Sequence, residues 1–316
     1  MRPRVKPKQI ILSKRANVFY LEHVRVMQKD DRVVYLTWDG GDVEKFFNIP
    51  ERNTAFILLG KGSSITDSAA RKLADSNVVL GFVGNGGSPL FSSVDFVFLS
   101  PQSEYRPTEY MQAWARMWFD EGARLDVANF FFSERLVWAQ RLWNANPQLR
   151  NQNITIPDEM VSRYSAKAVA VGNVGQLLAI EAGWAKELYA KVASGYSLKN
   201  FRREEGKKSK ATLEDVANSF LDHGNYIAYG YSAAALNVLG ISFAFPVMHG
   251  KTRRGGLVFD VADLFKDGYV LPLAFHCALN GYRDQEFRDA LIEACYTDGV
   301  LDMVIKTIKK VAAKYG

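Results

Sequence analysis

Cysteine is scarce: Cys277 and Cys295 are the only two among 316 residues. Two thiols cannot build the disulfide framework of a small secreted domain or a four-cysteine zinc site, and their scarcity fits a reducing compartment. Long apolar runs are missing too. Ile241–Met248 is among the longest, well short of the ~18 residues a membrane helix needs. Ile10-Ile11-Leu12, behind a basic start, is too short for a signal segment, so a cytoplasmic protein without membrane contact is expected. Common phosphate-binding and hydrolase signatures are absent as well. Gly60-Lys61-Gly62-Ser63-Ser64 lacks P-loop spacing, and Gly84-Asn85-Gly86-Gly87 is no dinucleotide fingerprint. No G-x-S-x-G elbow supports a serine triad. There is no internal repeat and no low-complexity tract.

What is there reads as an ordinary globular chain, 48% hydrophobic and 23% charged, long enough for about two domains. Lys and Arg number 40 against 34 Asp and Glu; the net charge of +6 permits a polyanionic partner without requiring one. Up to about residue 105, short runs rich in β-branched and aromatic residues alternate with glycine turns: 16–21, 33–37, 54–59, 78–83 and 94–99. One helix fits between them, Ser64–Asp75, with Thr66-Asp67-Ser68 as its start signal. Beyond Pro107 the periodicity is helical to the end. Strands followed by helices predict an α+β protein: a small β-rich, sandwich-like domain over 1–105 and a larger α-helical domain over 106–316. The aromatic stretch from Trp114 to Trp143 reads as helical core or a subunit interface. Ser197–Lys210, with six basic and two acidic residues, reads as an exposed loop.

Two constellations could carry chemistry. In the helix 176–192, Leu177, Trp184, Leu188 and Val192 form one stripe, and Glu181 lies within it. A carboxylate there must be neutralised, by a neighbouring Lys or Arg, by a crevice at the helix edge, or by a metal. The second constellation runs from His249 through Lys251, Arg253, Arg254 and Gly255-Gly256 into a helix starting near Leu257. Asp260 and Asp263, three apart, share one side of that helix. Each feature alone has a bland reading: a structural histidine, two solvated aspartates, a solvated basic loop. Together, Glu181, His249, Asp260 and Asp263 can coordinate a divalent cation, Mn²⁺ or Mg²⁺, that polarises a phosphoryl oxygen. Lys251, Arg253 and Arg254 could then hold a nucleic-acid backbone over the metal.

Read in order, these residues resemble the CRISPR-associated endonuclease family that serves as the integrase subunit of spacer acquisition. The matching pieces are Leu177-Leu178-Ala179-Ile180-Glu181 with Trp184–Tyr189, then Asn225–Gly230, then the His249-Gly250 loop with Asp260 and Asp263. Upstream, Ser64–Ala70 and Val79–Gly86 also match. The basic text after His249 resembles the type I-F branch. The resemblance implies a homodimer formed largely through the amino-terminal domain. It implies a metal held by Glu181, His249, Asp260 and Asp263, with Asn225 helping to position substrate. It also implies double-stranded DNA as partner, together with a second adaptation protein, in the type I-F branch a helicase–nuclease fusion. The expected activity is metal-dependent DNA transesterification or cleavage that inserts spacers into a CRISPR array during antiviral defence. Two departures stand out. Leu264-Phe265-Lys266-Asp267 follows where many relatives carry an Arg-Pro pair, and Ala182 replaces a common glycine. Two rival readings stay open on sequence: a non-catalytic nucleic-acid-binding scaffold, and a generic metal-dependent phosphoesterase.

Overall fold

The computed structural model describes residues 10–37, 45–82, 108–198, 201–206, 210–250 and 255–316. They fall into two compact units, one of strands over 10–82 and one of helices over 108–316. The expected boundary near residue 105 and the expected strand 94–99 lie outside the described residues.

The first unit contains two sheets. β1 (Asn17–Leu21), β5 (Thr54–Leu59) and β7 (Val79–Phe82) form a parallel sheet in the order β1-β5-β7. The second sheet runs β4 (Lys45–Ile49), β3 (Arg32–Thr37), β2 (Val24–Lys29), β6 (Ser64–Ile65). Helix α1 (Asp67–Asp75), the one helix expected in this unit, carries the chain from β5 to the parallel β7. α1 begins later than expected because Ser64–Ile65 pair with β2, and Thr66 caps the helix by accepting from the Ala69 amide. Val26, Val33, Ile49, Ile57, Leu73 and Leu80 bring both sheets and α1 into one apolar core.

The sequence pattern did not reveal β2 or β4. β2 and β3 form a hairpin around Asp30-Asp31, both at positive φ (48° and 61°), as a two-residue hairpin loop requires. That turn carries no glycine or asparagine to announce it. β4 is an edge strand, exposed along most of its length, so it shows no burial alternation.

The helical unit comprises α2 (Glu109–Phe119), α3 (Glu121–Ala145), α4 (Pro147–Asn151), α5 (Asp158–Val169), α6 (Val174–Gly195), α7 (Leu213–Val238), α8 (Gly256–Leu279), α9 (Asp284–Thr297) and α10 (Val300–Tyr315). Asp120, Asn146, Asn173 and Thr212 cap α3, α4, α6 and α7 with side-chain oxygens. The α6 stripe Leu177, Trp184, Leu188, Val192 is buried, as its spacing predicts. Trp114, Phe131, Phe132, Trp138 and Trp143 are also buried, which is the core reading of the aromatic stretch. Cys277 and Cys295 are free, buried thiols, and burial pushes Cys277 up to about 12. α8 is the central helix: α3, α6, α7, α9 and α10 all pack on it, and it is buried on every side rather than along one stripe.

The expected exposed loop is instead partly docked. Phe201 lies against Phe275 and Tyr189, with ring centroids 4.6 and 5.9 Å apart. Arg203 Nη2 pairs with Asp222 at 2.5 Å, and Asn218 accepts from the Glu204 amide at 2.9 Å. The basic residues that suggested a solvated loop include one used as an internal counter-charge.

Candidate metal centre

Two helices and one turn build the site. Glu181 comes from the middle of α6, Asp260 and Asp263 from the first turns of α8, and His249 from the turn that feeds α8. That turn is fixed from two sides. Trp114 Nε1 donates to the Phe245 carbonyl at 3.1 Å and Trp118 Nε1 to the Pro246 carbonyl at 2.7 Å. Asp260 then accepts the amides of Val247 (2.6 Å), Met248 (3.2 Å) and His249 (2.9 Å). Gly255 enters α8 at φ 70°, and Gly256 lies against the turn: a Cβ there would sit 2.7 Å from the His249 carbonyl oxygen.

Asp260 also accepts from His249 Nδ1 at 2.7 Å. An ionised carboxylate can only accept, so Nδ1 carries the proton and the neutral ring presents its lone pair at Nε2. Nε2 lies 3.5 Å from Asp263 Oδ2. A lone pair facing a carboxylate oxygen at that distance is favourable only with a proton or a cation between them. The histidine responds accordingly. Burial opposes its charged form, but the Asp260 hydrogen bond and the charges of Asp263 and Asp260 outweigh it and raise the pKa.

Oδ1 of Asp263 is taken by an ion pair with Lys266, whereas Oδ2 is buried without a hydrogen-bond partner, with Arg135 Nη1 3.6 Å away. Burial alone would raise the Asp263 pKa. Lys266, Arg135 and His249 reverse that and hold it at about 2. Glu181, 15% exposed, gives Oε1 to Arg135 Nη1 at 2.5 Å. Arg135 is further clamped by Asp267, through Nε at 2.6 Å and Nη2 at 3.2 Å.

The structure thus brings Glu181, His249, Asp260 and Asp263 into one neighbourhood, with two cations standing among them. As they stand, no three His, Cys, Asp or Glu side chains among the described residues are gathered tightly enough to ligate a single ion. Neutralisation of Glu181 by an arginine, one of the readings open from the sequence, is observed directly. The donor set nevertheless fits a hard or borderline dication: an imidazole lone pair, a buried carboxylate with one oxygen, Oδ2, free of hydrogen bonds, and a carboxylate at the rim. Asp260, by contrast, already has both oxygens engaged.

Three contributors escaped the sequence reading. Asp267 and Lys266 follow Asp263 at helical spacings of four and three, which is a usable signal. Arg135 interrupts the buried α3 stripe Ala128, Phe131, Phe132, Leu136, Ala139, the same kind of oddity that drew attention to Glu181. Asn225 is half-buried in α7 and, among the described residues, makes no hydrogen bond to the cluster. Lys251, Arg253 and Arg254 lie outside the described residues.

Fold and site together define a class: an α+β protein whose helical unit buries an acid–imidazole cluster, held in place by an arginine and a lysine. A family model described as CRISPR associated protein Cas1 matches residues 19–309. The CRISPR-associated endonuclease Cas1 of Pseudomonas aeruginosa (strain UCBPP-PA14) is 44% identical over 315 residues, covering 97% of this chain and 96% of its own. The chain belongs to the CRISPR-associated Cas1 family. Two solved structures share the fold. A TtCas1–DNA complex matches with a TM-score of 0.62 at 20% identity, covering 93% of this chain and 91% of its own. A casposase bound to an integration product matches with a TM-score of 0.71 at 14% identity, covering 94% of this chain and 91% of its own. No helix among the described residues is long and apolar enough to cross a membrane.

Proposed function

We propose that this chain is a metal-dependent DNA endonuclease and integrase, joining a DNA 3′-hydroxyl to a phosphodiester of a repeat-bearing duplex during spacer acquisition. The observation that carries the reading is the opposition of His249 Nε2 and Asp263 Oδ2 at 3.5 Å, with Glu181 alongside. Glu181, His249 and Asp263 would hold Mn²⁺ or Mg²⁺. When bound, such an ion supplies charge stabilisation at a phosphoryl oxygen and lowers the pKa of a hydroxyl nucleophile. The chain's own residues do the rest. Asp260 fixes the imidazole tautomer and ties the His249 turn to α8. Arg135 and Lys266 balance the buried negative charge.

The endonuclease name of the P. aeruginosa relative supports the reading. So do the DNA in one structural neighbour and the integration product in the other. Double-stranded DNA is the proposed substrate, gripped through its backbone by Lys251, Arg253 and Arg254, with Asn225 positioning it. The similarity to P. aeruginosa is also in keeping with the type I-F assignment, and with a helicase–nuclease fusion as adaptation partner. A homodimer through the amino-terminal unit belongs to the same proposal. The exposed edge strand β4, with Phe46 and Phe47, offers a pairing surface for it.

Mn²⁺-dependent strand transfer or cleavage on duplex DNA tests the reading. His249→Ala and Asp263→Ala are expected to lower the rate at least 100-fold while DNA binding is retained. Full activity in either variant refutes the assignment. The ion pairs around Arg135 and Lys266 favour a rival, a scaffold with a purely structural charge cluster, and that rival predicts no metal-dependent turnover at all. A phosphoesterase of small substrates predicts competition by a small phosphate ester, where the integrase predicts competition by long DNA only.

A further inference from the structure

We infer that Arg135, locked by Asp267, is the positioning residue of this centre, holding the Glu181 carboxylate in the orientation from which it serves as a ligand. The inference rests on the metal-centre reading above and adds a residue that the reaction itself does not require.

A fully ionised guanidinium buried to 2% exposure needs close compensation. Asp267 supplies it as a fork, Nε to Oδ2 at 2.6 Å and Nη2 to Oδ1 at 3.2 Å. Asp267 is itself immobilised. Trp184 Nε1 donates to its Oδ2 at 2.9 Å, and Trp143 Nε1 donates to its main-chain carbonyl at 2.8 Å. Both tryptophans are completely buried. The fork therefore fixes the guanidinium plane, and with it the direction of the remaining nitrogen, Nη1.

Nη1 points at the site. It donates to Glu181 Oε1 at 2.5 Å and lies 3.6 Å from Asp263 Oδ2. Oε2 of Glu181 accepts no hydrogen bond among the described residues, so one oxygen is held and the other left available. Glu181 and Trp184 share α6, Arg135 and Trp143 share α3, and Asp263 and Asp267 share α8. One guanidinium on α3 thus ties α6 to α8 at the point where their carboxylates meet. Neutralising Asp267 alone would need only a single positive charge. Lysine could supply that charge, but not two donors to one carboxylate and a third, coplanar donor to another. A carboxylate ligand oriented by an outer hydrogen bond is a recurrent arrangement at metal centres, and losing the outer partner typically weakens metal binding about 10–100-fold.

The test uses the full chain and Mn²⁺ alone, with affinity read by electron paramagnetic resonance and folding by thermal melts. The wild type is expected to bind Mn²⁺. Arg135→Lys is expected to melt cooperatively and to bind about 10–100-fold more weakly. The double variant with Glu181→Gln should bind no more weakly than Glu181→Gln alone, because the arginine acts through that carboxylate. Arg163→Lys, in the surface pair with Glu187, should change nothing. If Arg135→Lys does not melt cooperatively, Asp267→Asn, which frees the guanidinium plane but keeps an acceptor for Trp184, replaces it with the same expectations. Wild-type Mn²⁺ affinity in a folded variant overturns the proposal and leaves Arg135 a structural ion pair. Losses that add in the double variant overturn it too. Absence of Mn²⁺ binding in the wild type overturns the metal reading beneath it, and the proposal with it.

Discussion

At Asp260 four donors converge on two oxygens: three successive backbone amides and the His249 ring. An asparagine there keeps the size, loses the charge, and turns one acceptor into a donor facing other donors. Asp260→Asn is therefore expected to destabilise the chain by roughly 2–4 kcal/mol, the range of losing charged hydrogen bonds and leaving donors unpaired. It should also weaken metal binding, because the His249 tautomer is no longer fixed. Thermal melts and Mn²⁺ titration check both; unchanged melting contradicts the anchoring role. The same residue shows how far sequence reasoning reaches. The spacing of Asp260 and Asp263 puts both on one side of a helix, but a spacing of three does not say which one caps a turn and which faces the site. That depends on where residues 245–249 fold back, which the tryptophan donors from α2 decide. Glu181 was legible because a carboxylate stood on an apolar stripe. Its partner Arg135 was not, because nothing local tells an arginine which of many carboxylates it will meet.

Among the elements, α8 carries the most. Its spacing predicts an amphipathic helix, yet it is enclosed by five neighbours, and Asp260, Asp263 and Asp267 are buried within it. Its start is set by Gly255 and Gly256, and both were readable as a turn. What could not be read was the close approach that makes Gly256 necessary. A methyl group there would meet the His249 carbonyl at 2.7 Å and Pro246 Cβ at 2.9 Å. Gly256→Ala is expected to cost about 1–3 kcal/mol by overpacking and to displace the His249 turn. A lowered melting temperature with weakened Mn²⁺ binding is the predicted pair of results. Wild-type values of both would show that the turn yields without consequence. The missed strands teach the complementary lesson: β2 hides behind a hairpin turn of two aspartates, and β4 is an edge strand with no buried face to alternate.

For the whole molecule, the excess of six positive charges is too small to identify a partner, and the division into strand and helix units describes a fold that family members share. The distinguishing electrostatic feature in the sequence is local, the basic run beside His249. Replacing Arg253 and Arg254 together by alanine is expected to weaken binding to all duplex sequences alike and to lower the slope of log affinity against log salt by about 2. A loss confined to one sequence would contradict a backbone role. The two-unit architecture and four members of the cluster were legible because each depends on patterns within a few turns of chain. The Arg135 counter-charge was not, since it joins α3 to aspartates of α8 more than a hundred positions away. The most direct test of the account is anomalous diffraction at the manganese edge from crystals of the full chain soaked in Mn²⁺. The account predicts a peak bounded by Glu181, His249 and Asp263, with Arg135 still on Asp267. Arg135 and Lys266 filling the centre, with no peak there, would contradict it.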